Sequence, residues 1–227
     1  ESFYPTVAIY PDHIRGLHIS YETFLKPGVK ILNRHHENIA HMGDVLPTRD
    51  QLANLIFKEI KEGRGTEHGG VWIDLRDAPL SLKETVRTRM PAYKRLKHFG
   101  IEITDELLEV SPGAHTSLGG IRIDQNTHTG LEGLFAAGET TGGVHGANRL
   151  AGQAWLGCIT FGFRAGESAA AFAKESEAYP MDAGHRQMAE EELKTFLAPR
   201  NGRFRPYQAL QQIKSLMWEY VGCRRNA

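Results

Sequence analysis

Apolar residues recur at regular spacing in only a few stretches of the chain, and those stretches predict its best-defined elements. Leu52, Leu55, Ile56 and Ile60 fall at i, i+3, i+4 and i+8, the stripe of an amphipathic helix from about 50 to 61 that Gly63 and Gly65 end. Before it, residues 1–45 are irregular, with short β-like runs at 6–10 and 30–32 between proline and glycine breaks. After it, Val71-Trp-Ile-Asp-Leu75 reads as a buried strand. Ser81 with Glu84 three residues on predicts a capping box opening a second helix, which reaches about His98 with a kink expected at Pro91. Gly133-Leu-Phe-Ala-Ala137, closed by Gly138, is consistent with a buried parallel strand. The stretch 150–174 is apolar on most sides, the pattern of a buried helix, and amphipathic helices follow at about 184–197 and 206–221.

Composition narrows the class. The chain has 227 residues, room for one large domain or two small ones. Its 27 basic and 27 acidic side chains cancel, which argues against a nucleic-acid binder held by excess positive charge. With 41% hydrophobic and 24% charged residues it is an ordinary globular sequence. The longest weakly charged run, 150–163, is shorter than the roughly 20 residues of a membrane span. Two cysteines, Cys158 and Cys223, make no disulfide scaffold, and a cytoplasmic, reducing compartment fits best. Cys158 lies on the long apolar helix and is expected in the core. The chain opens without Met or a signal-peptide pattern and ends just after an amphipathic stretch, so it reads as a segment of a longer protein.

Candidate chemistry concentrates in the glycine-rich stretch that follows. At Gly138-Glu139 a glycine lets the backbone approach a ligand closely and sets a carboxylate where a ribose or ribityl hydroxyl would bond it, although a strand and an ordinary turn would use the same residues. Gly143-Val-His-Gly-Ala-Asn-Arg149-Leu150 opens the long helix, where unsatisfied N–H groups and the positive dipole end favour an anion or an electron-rich ring. Arg149 adds a fork suited to a carboxylate, and the bland alternative is a glycine-rich connection with a surface arginine. His35, His36 and His41 gather near Glu37, but their spacing matches no closed zinc set; no metal is expected there and a solvated loop is. The basic run Arg87, Arg89, Lys94, Arg95 and Lys97 reads as the wet face of the second helix.

Taken in order, His115-Thr-Ser-Leu-Gly-Gly120, Gly133-Leu-Phe-Ala-Ala-Gly-Glu139 and His145-Gly-Ala-Asn-Arg-Leu150 resemble the flavoprotein subunit of fumarate reductase and succinate dehydrogenase, a superfamily that includes L-aspartate oxidase. Phe3-Tyr-Pro-Thr6, Thr48-Arg-Asp50 and Val71-Trp-Ile-Asp-Leu-Arg76 resemble its capping domain, and Met217-Trp-Glu-Tyr-Val-Gly222 with Arg225-Asn226 resembles the start of its C-terminal helical domain. The resemblance implies an α/β fold with an α+β part: a substrate-side capping domain over 1–112, the C-terminal part of a Rossmann-like FAD-binding domain over 113–175, and the start of a helical domain over 176–227. The Gly-x-Gly-x-x-Gly fingerprint of the dinucleotide fold is absent, and Gly63-Arg-Gly65 is no substitute because it follows a helix. In the family that fingerprint belongs to the N-terminal remainder.

The family reaction is hydride transfer between flavin N5 and a carbon–carbon bond beside a carboxylate. The resemblance implies that His115 and Arg149 bind the carboxylates of a small carboxylic acid, that Arg49 donates or accepts the proton, and that Glu22 stands near the substrate. Arginine holds its proton up to a pH above about 12, so Arg49 can serve only in a dry site with quick replenishment. FAD contacts are implied at Gly138, Glu139, His145, Asn148 and Leu150, with Gln153, Ala154 and Leu156 offering backbone amides to the ring; plain helix packing is the alternative for the last three. Three positions depart from the family: Tyr21 replaces a threonine, Tyr4 a histidine that helps bind carboxylate, and Leu25 an arginine of a proton relay. Lys26, His13 or His18 are candidates to compensate, and the departures suit an unsaturated acid other than plain fumarate, or a weakened activity. Three functions stay open: an FAD-dependent oxidoreductase with an iron–sulfur or haem partner protein, an amino-dicarboxylate oxidase, and a non-catalytic capping module. Flavin binding and substrate turnover discriminate them.

Overall fold

A computed structural model describes residues 2–40, 47–150, 152–177, 183–198 and 205–224. His41, Arg225 and Asn226 lie outside the described residues. The fold is mixed α/β. Its centre is a four-stranded antiparallel sheet in the order β1-β4-β3-β2, formed by β1 (Ser2–Tyr10), β2 (Lys30–Leu32), β3 (Val71–Asp74) and β4 (Leu108–Thr116). Edge strand β1 carries Pro5, which has no N–H to donate, and its register against β4 slips between Tyr4 and Val7. The short helix α1 (Tyr21–Phe24) precedes β2, and α2 (Arg49–Lys61) packs across β1 and β4. The apolar stripe works as its spacing predicts: Leu52 and Ile56 are fully buried, while Leu55 and Ile60 pack partly buried at its margin.

Pro91 does more than kink a helix. The preceding Met90 takes an extended ψ of 116°, as a residue before proline does, and the segment splits into α3 (Leu80–Arg89) and α4 (Tyr93–His98). The capping box expected at Ser81 does not form, because α3 starts at Leu80 with Pro79 as its N-cap and Ser81 already lies inside. Reciprocal capping occurs instead at α2, where Gln51 Oε1 accepts the Thr48 backbone N–H at 2.9 Å.

The apolar core ends at Leu118 among the described residues. Beyond it, β5 (Ile121–Arg122) and β6 (Thr141–Gly142) form a short parallel ladder. Residues 133–137 do not make the expected buried parallel strand. They fold back on 127–129, with the Ala136 N–H bonded to the Thr127 carbonyl at 3.1 Å and Leu134 47% exposed. Helix α5 (Gln153–Glu175) has the expected extent but buries no side chain; Trp155 is 80% exposed and Phe163 70%. An apolar circumference marks a helix suited to being covered, and the described residues cover only the side facing the 138–140 turn and Phe135. Cys158 is therefore exposed rather than in the core. Helices α6 (Ala183–Leu197) and α7 (Pro206–Leu216) lie where their periodicity places them, Pro206 opening α7 with a pre-set φ. A π-helical turn over Met217–Val221 returns the chain to α2: Trp218 meets Phe57 edge-on at 5.2 Å, and Glu219 pairs with Lys61 at 3.0 Å.

Candidate active site

The site forms where five separate stretches converge at one end of the central sheet. β1 brings Tyr4, the segment after Gly16 brings His18, and α1 brings Tyr21 and Glu22. Arg49 is the first residue of α2, His115 sits near the end of β4, and Arg149 lies on the loop before α5. Arg49 and Arg149 are 8% and 6% exposed. They touch directly, one Arg49 amino group donating to the Arg149 carbonyl at 3.0 Å. Among the described residues neither guanidinium has a salt-bridge partner. Among the described residues the buried Arg149 Nε has no hydrogen-bond acceptor, and an Arg149 amino group donates to the Leu150 carbonyl at 3.0 Å.

Two buried cations side by side oppose each other, and this shifts the ionisable groups of the site. Burial lowers the Arg149 pKa from its ordinary value, Arg49 lowers it further, and Glu139 partly offsets both. His115 is likewise lowered, first by burial and then by His18, Arg149 and Arg49. Its ring stands 5.3 Å from Tyr4 and 5.2 Å from His18, edge-on to both. Tyr4 donates its hydroxyl proton to Glu22 at 3.2 Å, and burial together with that carboxylate pushes its phenol up. Burial and Glu22 raise Tyr21 as well, against an opposing pull from Arg49.

Of the substitutes for the departures at Tyr4 and Leu25, only His18 reaches this site. His13 packs against Phe99 at 4.8 Å, Lys26 is exposed, and Leu25 is 4% exposed within the core, where it can pass no proton. His36, at φ 60°, lies flat on Trp72 at 4.8 Å, and Glu37 accepts from Asn33.

The candidate cofactor residues split into two groups. Gly138, Glu139, His145 and Ala154 line one cavity together with Ser117, Gly157 and Cys158. Gly138 has a φ of +81°, and a Cβ there would lie 3.3 Å from the Cys158 sulfur; one at Gly157 would lie 3.2 Å from the His145 ring. Glu139 accepts the Ser117 backbone N–H at 2.9 Å. Leu150, Gln153 and Leu156 are exposed around the start of α5. Asn148 turns the other way and donates to Asp50 at 3.1 Å, tying the loop before α5 to the start of α2. The Thr48 hydroxyl, with Asn148 assisting, lowers the Asp50 pKa. Sequence reading did not single out Asp50, Tyr21 or Ser117 as site residues; adjacency to Arg49 and Glu22 was the available signal for the first two, and Ser117 gave none because its contribution is a backbone N–H.

An exposed apolar helix start, a bare backbone at Gly138, a carboxylate beside it and an orphaned guanidinium N–H fit part of a flavin and an adjoining anion. Residues 3–154 match the FAD binding domain family, and the chain belongs to it. Among its relatives is one component of the fumarate reductase (CoM/CoB) of Methanothermobacter marburgensis, 38% identical over 228 residues that cover 99% of this chain and 40% of that protein. The chain is 32% identical over 187 residues to L-aspartate oxidase of Acinetobacter baylyi, covering 80% of this chain and 31% of that one. In structure it is similar to Mycobacterium smegmatis Sdh1 in complex with UQ1, with a TM-score of 0.77 and 31% identity over 97% of this chain and 37% of that one. A mutant of E. coli quinol fumarate reductase FrdA gives a TM-score of 0.79 and 26% identity over 99% of this chain and 41% of that one. The chain thus spans well under half the length of these relatives. FAD is the cofactor of the family, and among the described residues no helix is long and apolar enough to cross a membrane.

Proposed function

We propose that this chain supplies the substrate-gripping part of an FAD-dependent oxidoreductase of the fumarate reductase and succinate dehydrogenase type, acting on a small carboxylic acid. The observation that carries this reading is the buried Arg49–Arg149 contact without a carboxylate partner among the described residues, beside the ring of His115. Like charges driven together out of water destabilise the folded chain unless an anion completes them. A carboxylate bound at Arg149 would be oriented by its fork and held in low dielectric, where a charge-assisted bond is strong, and its charge would offset the repulsion from Arg49.

FAD, when bound, supplies the hydride donor or acceptor at N5. Gly138, Glu139, His145 and Ala154 are the residues proposed to hold it, with Leu150, Gln153 and Leu156 against its ring. His115 and Arg149 hold the acid, and Arg49 moves the proton at the carbon opposite the hydride. Glu22 exchanges protons with water and replenishes Arg49, while Tyr4 keeps its own proton and orients the Glu22 carboxylate.

The organisation that goes with this reading is a capping domain over 1–112, a flavin-binding segment over 113–175 and the start of a helical domain over 176–227, in a cytoplasmic protein completed by an N-terminal remainder and an iron–sulfur or haem electron carrier. Likeness to L-aspartate oxidase over 80% of the chain supports a second reading, oxidation of an amino-dicarboxylate. Turnover on fumarate against aspartate separates the two, and a purified protein that retains no flavin band after desalting would favour a non-catalytic cap. Replacing Arg49 with Ala should abolish turnover while the flavin spectrum persists; unchanged turnover removes Arg49 from the mechanism.

A further inference from the structure

We propose that His18 is a second substrate-gripping imidazole, facing the bound acid together with His115 across from the two guanidiniums. This inference rests on the carboxylate-binding reading above. His18 is exposed, yet its backbone is pinned on both sides. It bridges to Val7 of β1, the Ala8 N–H bonds the Leu17 carbonyl at 2.8 Å, and the Ile19 N–H bonds the Thr6 carbonyl at 2.9 Å. Gly16, at φ +88°, makes the turn that returns the segment to the strand. The imidazole therefore has a fixed place. It stacks on Tyr4 at 4.8 Å and 12°, and meets His115 edge-on at 5.2 Å and 70°.

Tyr4 is the natural rival for this role, and the geometry disqualifies it. Its single O–H is spent on Glu22, and the buried phenol keeps that proton. It serves as a flat platform that sets the plane of the His18 ring. Among the described residues nothing accepts from or donates to either His18 nitrogen. An exposed imidazole stacked on Tyr4 and set against His115, with both nitrogens open among the described residues, is suited to the far carboxylate of a diacid, while the buried Arg149 takes the near one.

The test is calorimetric binding of succinate and of propionate to the flavin-loaded protein, with the thermal midpoint of each variant measured without ligand. His18→Ala should weaken succinate about tenfold or more, the scale of one lost charge-assisted hydrogen bond, and leave propionate and the midpoint nearly unchanged. Adding Tyr4→His to His18→Ala should restore much of the succinate affinity, because ring 4 lies against both the His18 and His115 rings. His18→Ala binding succinate like the wild type, or losing both acids equally, overturns the proposal. If Arg149→Ala also leaves succinate binding intact, or the wild type binds neither acid, the carboxylate reading itself has failed.

Discussion

Replacing Arg149 with Met should make the protein more stable while removing its grip on carboxylates. Arg149 is 6% exposed, its Nε has no acceptor among the described residues, and a second buried guanidinium lies against its backbone carbonyl. Methionine keeps most of the stem's packing volume and carries no charge. The substitution gives up one bond to the Leu150 carbonyl, a net loss of about 1 kcal/mol, on a residue 75% exposed where water can take over. It removes an unsatisfied buried donor that costs about 1–3 kcal/mol, besides the repulsion from Arg49. The balance is a gain of about 1 kcal/mol, or about 2–4 °C for a protein of this size. Carboxylate binding should meanwhile weaken by about 2 kcal/mol or more, near thirtyfold in Kd. Thermal melts followed by near-UV circular dichroism, with and without succinate, read both effects. A lower midpoint in the absence of ligand, or a succinate-dependent rise equal to the wild type's, would refute the argument that function holds these two buried cations together.

Three further outcomes are expected. Gly70→Ala should destabilise the fold by about 1–3 kcal/mol or more in urea unfolding, since its Cβ would lie 2.3 Å from the Val110 carbonyl oxygen and 2.6 Å from Ile9; a neutral result would mean that β3 and β4 separate freely. Burial alone raises Glu102, but hydrogen bonds from Tyr93, Thr104 and Lys97 outweigh it and hold its pKa at about 2, below the ordinary 4.5. A depressed carboxylate stabilises the fold above pH 4.5, and that contribution is lost as pH falls towards 2, so Tyr93→Phe should flatten stability against pH in that window. Glu139→Ala should lower the fraction of FAD retained on desalting, read from the visible band, and full retention would exclude Glu139 from the cofactor site.

The stripe of α2, strands β2 and β3, and helices α6 and α7 depend on short-range periodicity, and each falls within a residue or a few of its predicted span. The two departures have different causes, one local and one not. Ser81 and Glu84 have the spacing of a capping box, but Pro79 starts the helix earlier and takes its place. Residues 133–137 have the composition of a buried strand, yet they pair back on 127–129 and leave Leu134 exposed. Composition states what a segment tolerates, and whether it is covered depends on neighbours distant in the chain.

The candidate site divides along the same line. Sequence alone determined which residue types were present for anion chemistry, and the runs around Arg49, His115, Gly138 and Arg149 were specific enough to place the chain beside its relatives. Only the tertiary structure set Arg49 against Arg149, brought His18 rather than His13 or Lys26 to His115, closed Leu25 into the core and turned Asn148 towards Asp50. The physical reason is that repulsion between buried cations, stacking of rings and loss of hydration act over a few ångströms in space. They join residues a hundred positions apart, and no local pattern along the chain encodes them.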